Sequence, residues 1–295
     1  MPTATSRPRV ILDTDTYNEV DDQFALAHLL LSPDQVELEA VHAAPFLNPK
    51  STGPADGMER SFQEIHHVLN LIEPQQTPCV CRGSNAFLPG PKTPVESEAA
   101  HDLVERAMKP GTGKLYVAGI AAATNIASAI LIEPKIIDRI VVVWLGGHAS
   151  YWHTTKEFNL KQDIHAARIL FEAGMPLIRL PCNPVASHII TSVAELREQL
   201  APFSKLGAYL TEIVHNYAGN PPGWSKVIWD IAVSAWVINS AWVTTMEVPS
   251  PILLDKMTWG PQDGERKRHA IQEALSVDRN AIFADFFAKA KKAGQ

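Results

Sequence analysis

Ile11-Leu12-Asp13-Thr14-Asp15-Thr16-Tyr17-Asn18-Glu19-Val20-Asp21-Asp22 places five acidic residues within ten positions, where an apolar run gives way to helical spacing. Val10 to Leu12 reads as a strand. Asp21 to Leu31 carries Phe24, Leu26, Ala27, Leu30 and Leu31 at helical intervals. In an open parallel sheet, ligands bind outside the carboxyl ends of the strands, where this segment falls. Carboxylates gathered there repel one another unless a cation or a proton neutralises them. Oxygen donors suit a hard ion such as Ca²⁺ or Mg²⁺, not a soft-ligand metal. An ordinary structural role accounts for only part of the cluster. Asp21 as a helix cap and Glu19 as a solvated loop charge still leave Asp13, Asp15 and Asp22.

Working outward, short β-branched runs alternate with amphipathic stretches. Further strands are expected at 36–44, 79–81, 115–118, 140–145 and 177–180, and helices at 57–72, 96–108, 124–132, 163–173 and 191–217. Near-continuous apolar strands separated by helices predict an α/β fold: an open, mostly parallel, Rossmann-like sheet with helices on both faces. No internal repeat or low-complexity linker interrupts it, so residues 1–295 read as one domain. Gly219, Pro221, Pro222 and Gly223 mark a loop. Val227 to Ala241 is apolar enough to be a buried helix, and the later helices are expected to pack against the carboxyl edge of the sheet.

Composition narrows the function. Apolar residues make up 46% and charged residues 20%, the net charge is -6, and no Lys/Arg run supplies the basic footprint of a nucleic-acid binder. Cys79 and Cys81 lie two apart, too close for an easy disulfide, and no second pair completes a zinc set. Buried reduced thiols in a cytoplasmic protein are the expectation. The opening MPTATSRPRV has no leader-like apolar core, and no stretch has membrane-spanning length.

Two chemistries use such a cluster. Asp13-Thr14-Asp15-Thr16 after an apolar strand looks like the opening of haloacid-dehalogenase-type phosphatases, which use Mg²⁺. Those also need a late acidic strand end, whereas Val141 to Leu145 runs into Gly146-Gly147-His148. The second is nucleoside hydrolysis. The cluster resembles the signature of the inosine-uridine-preferring nucleoside hydrolase family, a strand entering DxDxxxDD. The resemblance continues through Val117-Ala118-Gly119 with Ala123-Thr124-Asn125-Ile126-Ala127, then Gly146-Gly147 with Glu157-Phe158-Asn159 and Asp163. It ends at Trp229-Asp230, where the family has His-Asp. Four motifs in order are a stronger signal than any one alone.

That resemblance implies a nucleoside hydrolase-like fold and Ca²⁺ held by Asp15, Asp22, the main-chain carbonyl of Thr124, and Asp230. It implies Asp15 as general base on a water, Asp21 and Asn159 on ribose hydroxyls, and Glu157 on the 5′-hydroxyl side, with Asp13 supporting the loop. The substrate would be a small nucleoside, and the chain would assemble as a dimer or tetramer. Three departures stand out. Thr16 to Val20 is longer than the family's loop, so Asn18 or Glu19 can reach the site. Ala43-Ala44-Pro45-Phe46-Leu47-Asn48 replaces a Gly-Asn. Trp229 replaces the late His, and an indole N–H is no general acid. Candidates for the leaving-group acid are His148, His153, Tyr151, Trp152, His215 and Tyr217; Tyr151-Trp152-His153 could stack on a base. A nucleoside or sugar binder that lost this acid is the non-catalytic alternative.

Overall fold

The computed structural model describes residues 7–219, 221–261 and 268–294; residues 1–6, part of the leader reading, lie outside them. In chain order the first half comprises β1 (Arg9–Thr14), α1 (Asp22–Leu30), β2 (Glu37–Ala43), α2 (Pro54–Ile72), β3 (Cys79–Arg82), α3 (Glu98–Met108), β4 (Leu115–Gly119), α4 (Thr124–Ile132) and β5 (Ile140–Leu145). There follow α5 (Phe158–Gln162), α6 (Ile164–Glu172), β6 (Leu177–Leu180), β7 (Ile190–Thr191), α7 (Val193–Gln199), α8 (Lys205–Ala218), β8 (Lys226–Val227), α9 (Ile231–Ile238), β9 (Val243–Pro249), β10 (Ala270–Val277) and α10 (Arg279–Ala293).

Eight strands form one sheet in the order β3-β2-β1-β4-β5-β6-β10-β9, parallel except for β9, which runs antiparallel to β10. This is the expected α/β sheet. The chain winds one way from β1 to β3 and the other from β4, so the crevice at the carboxyl ends of β1 and β4 is a topological switch point.

Alternation along each strand builds the two faces. Val10 and Leu12 of β1 join Phe24, Ile231 and Phe286 in one apolar cluster, while Ile11 joins Val117, Ile126, Leu170 and Phe171 in the other. Every residue of α1 is buried, including its polar ones. A helix buried on all sides is held rigidly, and here it carries the acidic loop at its N-terminus.

Three expectations need correction. The segment 191–217 is two helices, α7 and α8, broken around Pro202, with Ser204 capping the second by accepting a hydrogen bond from Gly207 N. The buried helix of 227–241 is confined to Ile231–Ile238. Val227 is tied into an antiparallel pair with Ile190, and Asn239 caps the next turn instead of continuing the helix. The expected strands stop at 177–180, whereas β10 and β9 extend the sheet beyond them. Their mixed polar sequences, with Gln272, Glu273 and Ser276 facing β9, hid the strand period. No helix among the described residues is long and apolar enough to cross a membrane. All three cysteines are free; Cys81 and Cys182 are buried as expected, but Cys79 is exposed.

Candidate active site

The switch-point crevice holds a cavity of about 500 Å³. Its floor is acidic. Asp21, Asp22 and Asp230 bring carboxylate oxygens within 4.8 Å of one another, all buried. They come from the first turn of α1 and the residue preceding α9, so two helix N-termini face the same negative charge. Asp15, on the turn after β1, is buried beside Asp22 but lies outside both that group and the cavity lining.

Burial dominates the electrostatics. It pushes the carboxyls of Asp13 and Asp22 up to about 7 and that of Asp21 to about 6. Asp15 and Asp230 are driven up as well, first by burial and then by neighbouring carboxylates, Asp22 for Asp15 and Asp21 for Asp230. Both carboxylate oxygens of Asp15 and one of Asp13 are buried with no hydrogen-bond partner among the described residues. Leaving so many acceptors unpaired is costly unless a proton or cation compensates them. The donor set is all oxygen, so the residues present fit a hard divalent cation.

The remaining expected residues divide into those that face the cavity and those that support it. Asp21 does not cap α1 with its side chain. It accepts instead from Trp229 N (3.0 Å) and Lys226 Nζ (3.4 Å), tying the acidic loop to the segment before α9. Asn159 gives both amide hydrogens to main-chain carbonyls, Ile120 O (3.2 Å) and Leu145 O (3.1 Å), which leaves Oδ1 as its acceptor for a ligand. Glu157 lines the cavity but spends its carboxylate on Gly147 N, Asn159 N and Leu160 N, capping α5 and fixing the turn after β5. Asp13 accepts from Asn125 Nδ2 (2.8 Å), a supporting role.

Thr124 opens α4, and its hydroxyl is given to Asp163 Oδ2 (2.9 Å), which also receives Leu88 N. Tyr151, Trp152 and His153 are not among the residues lining the cavity; Tyr151 is exposed, and Trp152 is half-buried with its ring 6.5 Å from that of His148. The aromatic walls are Tyr217, Phe158 and Trp229. His148 also lines the cavity, as do Asn18, Glu19 and Asn48. The longer loop therefore reaches the site, latched by Asn48 Nδ2 donating to Asn18 Oδ1 (2.7 Å).

Lys226 was missed. Its Nζ lies 2.6 Å from Glu19 Oε2, and Tyr217 donates to Glu19 Oε1 at 2.8 Å. A lysine at the head of the apolar run Val227 to Val233 was the available signal, because such a charge needs a buried partner. A second group, His42, Cys81 and Asp102, also gathers ligand atoms. There the carboxylate is already shared by His42 Nε2 (2.9 Å) and Arg106 Nε (2.7 Å), which leaves no uncompensated charge for a metal.

A doubly wound sheet whose switch-point cavity is floored by converging carboxylates offers a small-molecule site able to hold a hard divalent cation. The model of the inosine-uridine preferring nucleoside hydrolase family matches residues 10–284, and the chain belongs to that family. Among curated relatives, the probable uridine nucleosidase 2 of Arabidopsis thaliana is 29% identical over 234 residues, covering 72% of this chain and 70% of the relative. The pyrimidine-specific ribonucleoside hydrolase RihA of Salmonella paratyphi B is 22% identical over 266 residues, covering 81% and 82%. A solved plant nucleoside hydrolase, PpNRh1, superposes with a TM-score of 0.76 over 96% of this chain and 99% of its own, at 17% identity. Family membership, not the opening Asp13-Thr14-Asp15-Thr16, decides against the phosphatase reading.

Proposed function

We propose that the chain hydrolyses the N-glycosidic bond of ribonucleosides with Ca²⁺, releasing free ribose and base. The observation that carries this reading is the buried, uncompensated carboxylate floor at the switch point of a nucleoside hydrolase fold. Asp22 and Asp230, which gather with Asp21, would hold the ion, joined by Asp15 and the carbonyl of Thr124. When bound, the ion supplies charge compensation and acidifies a water. An all-oxygen donor set suits Ca²⁺, which tolerates flexible coordination, where Mg²⁺ demands a stricter octahedron.

The protein's own groups do the rest. Asp15, with two free acceptor oxygens, takes the proton of the attacking water. Asp21 and Asn159 Oδ1 accept from ribose hydroxyls and orient the sugar. As C1′ gains positive charge, the surrounding carboxylates stabilise it. Glu157 holds the turn that positions Asn159 and borders the 5′ side. Tyr217 and Trp229 offer faces to the base.

The three free cysteines fit a cytoplasmic setting, and assembly as a homodimer or tetramer is expected of the family. A reducing-sugar assay on purine and pyrimidine ribonucleosides tests the proposal: ribose release that disappears in Asp15→Ala, with the fold intact, supports it. Binding of nucleoside without release would support the non-catalytic alternative, and phosphate release from aryl phosphates would restore the phosphatase.

A further inference from the structure

His148 is the first residue beyond the Gly146-Gly147 turn that follows β5, and it lines the cavity together with Trp229 and Tyr217. It is held from several sides. Its main-chain N donates to Thr155 Oγ1 (3.2 Å), and its carbonyl accepts from the buried Arg179 guanidinium (2.7 Å). Cys182 N donates to Gly147 O and Ala149 N donates to Asn183 O, both at 2.9 Å, so the turn is sewn to the segment after β6.

The ring itself is oriented by Asn183, whose main-chain N–H donates to His148 Nδ1 at 3.2 Å. A backbone N–H can only donate, so Nδ1 must be the unprotonated nitrogen, and the neutral ring carries its hydrogen on Nε2. No acceptor for that Nε2–H is found among the described residues, although the residue is 8% exposed and borders the cavity. The protein thus fixes the tautomer of a cavity histidine and leaves its one donor without a protein partner.

Two neighbouring cavity groups are poorer candidates. The Tyr217 hydroxyl is given to Glu19, and the Cys182 thiol is pushed far up by burial and the nearby Glu157 carboxylate. Trp229 can donate but not release a proton.

We propose that His148 contacts the departing base, donating its Nε2–H to a nitrogen or oxygen of the leaving group while Asn183 N–H holds the ring. This rests on the ribonucleoside hydrolysis proposed above. The C1′–N bond breaks heterolytically and its electron pair passes to the base nitrogen. The water oxygen bonds to C1′, its proton goes to Asp15, and the base takes a proton from solvent. His148 keeps its own hydrogen and acts by stabilising the developing anion. Burial, with His153 and Arg179 nearby, holds its pKa down, which keeps the ring neutral as this role requires.

The test compares the best ribonucleoside with 4-nitrophenyl β-D-ribofuranoside, whose phenolate leaves unaided, in wild type, His148→Ala and His148→Gln. Removal of a donor to a developing anion is expected to cost about 10²–10³-fold in kcat on the nucleoside. The loss on the nitrophenyl riboside should be no more than a few-fold, and His148→Gln, which keeps an N–H donor, should recover part of the nucleoside rate. Equal losses on both substrates would make His148 a structural residue, and no loss on either would move the role elsewhere; both overturn the inference while sparing the function. Wild type inactive on both substrates would overturn the proposed function, and this inference with it. Cooperative thermal unfolding of each variant shows that the fold survives.

Discussion

Lys226 Nζ stands 2.6 Å from Glu19 Oε2, joining the loop after β1 to the segment before α9 across the mouth of the acidic crevice. Burial pulls the ammonium pKa down, but Asp21 and Glu19 outweigh it and raise it overall. Glu19 in turn is held below its ordinary value, because Lys226 and Tyr217 outweigh its partial burial. The pair compensates one edge of the carboxylate floor and leaves the rest.

Lys226→Met removes that compensation. Breaking a buried pair strands its partner, so a loss of about 3 kcal/mol is expected without added cation; the one-third exposure of Glu19 keeps it at the low end for such pairs. The same change strengthens the field on a bound cation. Calcium should therefore raise the Tm of Lys226→Met by more than it raises that of wild type, as thermal melts with and without Ca²⁺ will show.

A second expectation concerns pH. The folded carboxyls of Asp13 and Asp22 titrate near 7 and that of Asp21 near 6, against an ordinary value of 3.8. Between about pH 4 and 7 the unfolded chain has released these protons while the folded chain retains them. Stability from these groups is thus present below about pH 4 and is lost as pH rises through 7. A cation needs the carboxylates ionised, so it acts in the opposite direction. The Tm gain on adding Ca²⁺ should be small at pH 5 and grow through pH 8; a gain independent of pH would place the ion elsewhere.

Asp230→Asn separates stability from activity. It removes one of the crowded charges, so the cation-free protein should melt at the same temperature or higher. The calcium-induced shift should shrink, and ribose release should fall by at least about 100-fold. Isothermal titration and the sugar assay read the two effects independently.

The sequence carried the acidic loop, the parallel sheet and Asp230 because each leaves a local mark: an apolar strand, helical spacing, or a carboxylate inside an apolar run. It did not carry β9 and β10, whose pattern is blurred by Glu273, nor the true walls of the cavity. Glu273 is polar because it pairs with the buried Arg179 and accepts from Ser150, a contact between β6, β10 and the turn after β5 that no sequence window contains. The aromatic run Tyr151-Trp152-His153 looked like a base platform by adjacency in sequence. None of the three lines the cavity, whereas Tyr217, 66 positions beyond Tyr151, does. The charge of Lys226 was visible, but its partner Glu19 lies 207 positions away.

That buried pair supplies another expectation. Glu273→Ala leaves Arg179, fully buried, without its carboxylate, and should cost about 3–5 kcal/mol. Because Arg179 also holds the His148 carbonyl, the variant should lose nucleoside turnover beyond what its unfolded fraction explains. Denaturant melts beside active-site titration will separate the two losses.

The most direct test of a cation-dependent N-ribosyl hydrolase is free-ribose release from a ribonucleoside panel before chelation, after chelation, and after Ca²⁺ is restored. Release is expected to disappear with the chelator and to return with calcium. Release that is unchanged by complete removal of divalent ions would contradict it, and would require the carboxylate floor to work as a proton-sharing cluster instead.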